Sequence, residues 1–134
     1  MPSPETLSAS GDRLIYLVDD EELLLELAEL SLLDQGYELK KFQDPQAALE
    51  SFTQEPRKPS LLLTDYAMTP MTGLELSTRC KSAHPKLKIL IVSGTAGPDI
   101  AEKCGVKVDK FLSKPYKPDE LANTVRSLLS SDAV

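Results

Sequence analysis

The sequence predicts an α/β protein built on a parallel sheet with helices on both faces. Three observations carry this: short runs that are apolar at consecutive positions, helix-period segments between them, and helix start and stop residues at the junctions. Leu14-Ile15-Tyr16-Leu17-Val18 is the first run, Leu61-Leu62-Leu63 a second, and Ile89-Leu90-Ile91-Val92 a third. Consecutive apolar positions suit strands covered on both sides, whereas a strand with one wet face would alternate. Tyr37 to Phe42 is more polar and reads as an edge strand, and Val106 to Leu112 reads as the fifth strand.

The helical segments fall between these strands. Glu21 to Gln35 sets Leu23, Leu27 and Leu30 on one face and Glu22, Glu26 and Glu29 on another, a solvated one, and Gly36 follows as a stop. Asp44 before Pro45 reads as a helix cap followed by proline at the first helical position, with Leu49 and Phe52 behind. Gly73 to Ala83 carries Leu76, Cys80 and Ala83 at helical spacing and ends before Pro85. Pro98 to Cys104 makes a short helix, and Pro118 opens the last, striped by Leu121, Val125 and Leu128. The order is strand then helix, five times. Such alternation gives a parallel sheet with right-handed crossovers.

Size and charge narrow the function classes. The chain has 134 residues, enough for one domain with a real core and too few for a second of ordinary size. Residues 13–130 are read as that domain, and residues 1–12, rich in Pro and Ser, as a flexible leader or linker. Against 15 Lys and Arg stand 21 Asp and Glu, a net charge of -6. That argues against nucleic-acid binding by the whole surface and against docking on anionic lipid, though a local basic patch stays open. No apolar run is long enough to span a bilayer, and the leader lacks a signal core, so the expected location is cytoplasmic. With one histidine, His84, and two cysteines far apart, Cys80 and Cys104, no transition-metal cluster can form. His84 reads as a surface residue and the cysteines as buried thiols without function.

In open parallel sheets, ligands bind beyond the carboxyl ends of the strands. Here those ends are chemically loaded. The first closes on Asp19-Asp20, the third on Asp65, the fourth on Ser93 and the fifth on Lys114-Pro115. Three carboxylates in one crevice repel, so near neutral pH they need a cation or a proton. All-oxygen donors favour a hard ion, and Mg²⁺ that keeps part of its water is the obvious one, with Mn²⁺ able to substitute. A hydroxyl and an ammonium beside them suit a phosphoryl group. The set is that of a phosphoryl-transfer site with a carboxylate nucleophile.

Four stretches then carry a family resemblance: Leu-Val-Asp-Asp-Glu at 17–21, Leu-Thr-Asp-Tyr-Ala-Met-Thr-Pro-Met-Thr-Gly at 63–73, Val-Ser-Gly at 92–94 and Phe-Leu-Ser-Lys-Pro at 111–115. On these the chain, from about Arg13 to Leu129, resembles the receiver domains of two-component response regulators, the CheY-like superfamily. The resemblance implies a doubly wound (βα)5 fold of flavodoxin-like type, with strand order 2-1-3-4-5. It implies that Asp65 is the phosphoacceptor, taking a phosphoryl group from a phosphohistidine of a sensor histidine kinase or phosphotransfer protein. Asp20 would bind Mg²⁺ directly, Asp19 mainly through water, and the Ala67 backbone carbonyl would be a further ligand. Ser93 and Lys114 would hold phosphoryl oxygens, Phe111 would be the aromatic switch, and Lys114-Pro115 would be cis. The partners implied are that donor and a downstream protein effector, with no direct nucleic acid or membrane contact.

Two departures stand out. Thr69 holds the position where the family often has proline, with Pro70 one later, and position 93 is Ser where Thr is also common. Neither removes a reactive group. Such a module is no metabolic enzyme, since its only chemistry is self-catalysed phosphotransfer and autodephosphorylation. It is expected either to stand alone or to be one module of a hybrid kinase or larger regulator. Three other readings fit less well. A phosphatase with an Asp nucleophile usually has an acid two residues on, where Ala67 stands. In a flavodoxin-like electron carrier, the acids after the first strand would repel an FMN phosphate. A degenerate receiver would lack acceptor residues that are all present here.

Overall fold

The computed structural model describes residues 13–94 and 108–130. Within them run β1 (Leu14–Val18), α1 (Glu22–Leu32), β2 (Glu38–Phe42), α2 (Pro45–Gln54), β3 (Leu61–Asp65), α3 (Gly73–Ala83), β4 (Lys88–Ser93), β5 (Lys110–Ser113) and α4 (Pro118–Ser130). The leader, the 98–104 helix, Cys104 and the start of the fifth strand at residues 106–107 lie outside the described residues. All strand pairs are parallel, in the order β2-β1-β3-β4-β5. The expected order 2-1-3-4-5 therefore holds, with the more polar β2 at an edge.

Side-chain alternation splits the core in two. Leu14, Tyr16, Val18, Leu62, Ile89 and Ile91 face α2 and α3, where Phe52, Leu76 and Cys80 meet them. Ile15, Leu17, Leu61, Leu63, Leu90 and Val92 face α1 and α4, against Leu25, Leu32, Leu121 and Val125. Both faces of the central strands are dry, which is why these strands read as unbroken apolar runs.

The helix ends follow their local chemistry. The Asp44 carboxylate accepts from the Gln46 amide at 3.0 Å, capping α2 as expected. Thr72 and Glu75 form a reciprocal capping box at the start of α3. α1 tightens into a 3₁₀ turn at Leu33–Gln35 and stops at Gly36, whose φ of 84° is left-handed.

The structure corrects two packing expectations. Leu23 and Leu30 are 68% and 66% exposed, and Leu27 and Leu33 are exposed too, while Leu25, Ala28 and Leu32 pack inward. α1 is apolar around most of its girth, so spacing alone does not select a face. The sheet accepts the narrow ridge containing Ala28, and the leucine stripe turns to solvent. On α3 Ala83 is exposed, whereas on α4 the expected stripe holds: Leu121 and Val125 are buried and Leu128 packs half-buried against the same core, joined by buried Leu129. Among the described residues, no helix is long and apolar enough to cross a membrane.

Candidate functional site

Register builds the site. Val18 pairs with Thr64, so the next residues, Asp19 and Asp65, stand side by side at the carboxyl ends of β1 and β3. Asp65 pairs with Val92 and Ser93 with Ser113, which brings Ser93 and then Lys114 into the same rim. Backbone hydrogen bonds fasten the rim: Asp19 N to Phe42 O at 3.1 Å, Tyr66 N to Val92 O at 3.0 Å, and Lys114 N to Ser93 O at 2.9 Å.

The carboxylates converge as the sequence predicts. One oxygen from each of Asp19, Asp20 and Asp65 lies within 4.8 Å of the others. Asp19 and Asp65 are buried and Asp20 is exposed. The Asp19 Oδ1 accepts the Glu21 amide at 2.9 Å, which turns the chain into α1 and fixes that carboxylate. Lys114 reaches in from β5: its Nζ is 2.7 Å from Asp65 Oδ1 and 3.6 Å from Asp19 Oδ2.

The electrostatics report a crowded acid site. Burial lifts the Asp19 carboxyl above its ordinary range; the Glu21 amide opposes this, and the Asp65 charge adds to it. Burial pulls the Lys114 ammonium down, but the Asp65 hydrogen bond and the charges of Asp19 and Asp65 outweigh it and raise it overall. The Tyr116 phenol is raised too, by burial first, with Lys114 opposing and the two acids adding. One ammonium offsets only part of three carboxylates. Three carboxylate oxygens within 4.8 Å of one another form an all-oxygen donor set whose chemistry fits a hard divalent ion.

The remaining candidates have definite places. Ala67 is exposed two residues past Asp65, on a loop closed by the Gly73 N to Tyr66 O hydrogen bond of 2.8 Å. The Thr69-Pro70 and Lys114-Pro115 peptide bonds are both cis, and Met68 and Met71 are buried in the core. Ser93 is buried at the end of β4. By strand alternation it shares a sheet face with Ile91 and with half-buried Phe111. Away from the site, His84 caps α3 half-buried, edge-on to Phe52 at 6.4 Å. The Cys80 thiol is pushed up to about 12 by burial, which leaves it protonated and inert.

Sequence reasoning gave no physical role to Gly73 and passed over Tyr116. A Cβ on Gly73 would stand 2.1 Å from the Asp65 carbonyl oxygen and 3.1 Å from Thr64 Cγ2. α3 begins against the backbone of Asp65 itself, and only glycine permits that approach. The available signal was a glycine directly after a Thr cap, where a helix former would otherwise serve.

Comparison with known proteins agrees with this geometry. The family described as the response regulator receiver domain matches residues 15–126. The response regulator receiver protein CpdR of Brucella abortus (strain 2308) is 33% identical over 116 residues, covering 86% of this chain and 95% of that protein. The sensor kinase CckA of the same organism is 28% identical over 121 residues, which are 90% of this chain but only 13% of CckA. Among solved structures, a CheY-like response regulator receiver domain protein from Methanospirillum hungatei JF-1 superposes with a TM-score of 0.80 at 24% identity. That match covers 90% of this chain and 96% of that one, and shows the shared fold.

Proposed function

The chain belongs to the response regulator receiver family, a class of signalling modules, and from that premise we propose that Asp65 accepts a phosphoryl group from a phosphohistidine of a partner protein. The observation that carries this is the pairing of Asp65, a buried strand-end carboxylate, with the Lys114 ammonium at 2.7 Å inside an acidic triad. An Asp65 oxygen attacks phosphorus in line; the new P–O bond forms as the P–N bond to imidazole breaks, and the electron pair returns to the nitrogen. Lys114 then transfers its contact from the carboxylate to a phosphoryl oxygen, and the Ser93 hydroxyl donates to another. Asp19, Asp20, Asp65 and the Ala67 carbonyl are the ligands we assign to Mg²⁺. When bound, the ion neutralises acid charge and polarises the phosphoryl oxygens.

The same contacts supply a switch. Ser93 drawn toward the phosphoryl group frees space on the sheet face it shares with Phe111, and the ring turns inward to fill it. Phenylalanine gains packing there but no hydroxyl contact. This is a shift between two packings, which changes the surface offered to a downstream protein. Ala67 provides no acid for a phosphatase cycle, so the phosphorylated form is the product. The test is intact mass after incubation with acetyl phosphate and Mg²⁺. The wild type should gain one hydroxylamine-labile phosphoryl group, and Asp65→Asn should gain none. Equal modification of Asp65→Asn would remove the assignment.

A further inference from the structure

Tyr116 lies two residues past Lys114, on the stretch from β5 into α4, half-buried against the core face of α1 and α4. It lines two neighbouring spaces. One is a small, partly open cavity of about 10 Å³ at the acids, lined by Leu63, Val92, Asp19 and Asp65 among others. It is at the lower limit for holding a single water. The other is an open apolar groove of about 420 Å³ between α1 at Leu27 and the start of α4 at Pro118. Leu24, Lys114 and Tyr116 line both spaces. Lys114 therefore borders the groove as well as the acids, and the Tyr116 ring stands with it at that border.

This shared border has a physical consequence. A lysine ammonium rides on four rotatable methylenes, and a solvent-filled groove offers it hydration in place of Asp65. Water at the border would also raise the local dielectric and weaken the ion pair. A rigid ring that fills the border opposes both effects. We propose that Tyr116 is a positioning residue: its ring keeps the Lys114 ammonium at Asp65 and limits its hydration from the groove, so that an arriving phosphoryl group meets a cation already in place. The proposal rests on the phosphoacceptor reading of Asp65.

The test is a double-mutant cycle on the whole chain. Phosphorylation by phosphoramidate at saturating Mg²⁺ is followed by intact mass across donor concentrations, for wild type, Tyr116→Phe, Tyr116→Ala, Lys114→Ala and the double variant Tyr116→Ala/Lys114→Ala. Tyr116→Phe keeps the ring and should react within about twofold of wild type. Tyr116→Ala should lower the maximal rate about 5–10-fold, with the half-saturating donor concentration little changed. In the Lys114→Ala background, the same change should cost less than about twofold, because the group it positions is gone. If Lys114→Ala reacts too slowly to follow, the cycle is read from beryllofluoride affinity instead. Thermal unfolding checks the fold of each variant, and Tyr116→Val replaces Tyr116→Ala if the larger void unfolds the chain. Equal losses in both backgrounds, or a Tyr116→Phe as slow as Tyr116→Ala, would overturn the proposal while leaving Asp65 as the acceptor. A wild type that takes no phosphoryl group would overturn the acceptor reading first and the proposal with it.

Discussion

Gly73→Ala is the most severe single-methyl change the structure predicts. The added Cβ would sit 2.1 Å from the Asp65 carbonyl oxygen and 3.0 Å from its carbonyl carbon. Neither can rotate away, because both are backbone in a strand paired on both sides. Restoring contact needs a shift of at least about 0.9 Å, borne by the start of α3 or by Asp65. Overpacking typically costs 1–3 kcal/mol, and a backbone clash belongs at the top, so the expected loss is about 3 kcal/mol. In a chain of this size that is a fall in Tm of about 10 °C. Phosphorylation should fall further than stability explains, because the displaced residue is the acceptor. Gly36→Ala is the control. Its Cβ meets nothing within 4 Å, and only the left-handed φ of 84° is strained, at about 1 kcal/mol with no change in phosphorylation per folded molecule. The assay is urea unfolding of both variants, with phosphorylation rates from acetyl phosphate. A Gly73→Ala protein within 0.5 kcal/mol of wild type, reacting normally, would refute the close-approach argument.

Three further outcomes follow from the site. Burial raises the Asp19 carboxyl, so its contribution to stability is full below the unfolded value of 3.8 and is lost as pH rises through the folded value. Ionised Asp19 is therefore a cost at pH 7, and in metal-free buffer Asp19→Asn should raise Tm, with the gain fading in acid. A lower Tm at pH 7 would contradict this. Asp20→Asn should weaken Mg²⁺ about tenfold or more by calorimetry, while Glu26→Gln stays within about twofold; equal affinities would break the ligand set. Ala67→Asn adds an amide able to hold attacking water, and should speed loss of phosphate several-fold, about 1 kcal/mol in the barrier, with Mg²⁺ affinity unchanged. Equal decay after donor removal would defeat the water-positioning argument.

What was legible in the sequence tracks what is locally determined. The strands could be read because burial on both faces leaves no polar alternation, and the acids at their ends because chemistry needs fixed residue types there. The buried face of α1 could not be read. With leucines at 23, 24, 25, 27, 30, 32 and 33, hydrophobicity is nearly isotropic, and the fit of Ala28 against the sheet decides. The role of Gly73 was hidden for a different reason: its constraint is a contact with a residue eight positions away, across a loop holding a cis Thr69-Pro70 bond. Tyr116 was invisible because a tyrosine after a Lys-Pro pair carries no pattern of its own. Its surroundings, two cavities it lines together with Leu24 of α1 and Lys114, exist only in the folded chain.

The most direct measurement is the location of the phosphoryl group. Protein phosphorylated by acetyl phosphate with Mg²⁺ is reduced with borohydride, which converts an acyl phosphate to a primary alcohol, and is then sequenced by tandem mass spectrometry. The account predicts homoserine at position 65 alone, with Asp19 and Asp20 unmodified. Homoserine at position 19 or 20 with Asp65 intact would contradict it.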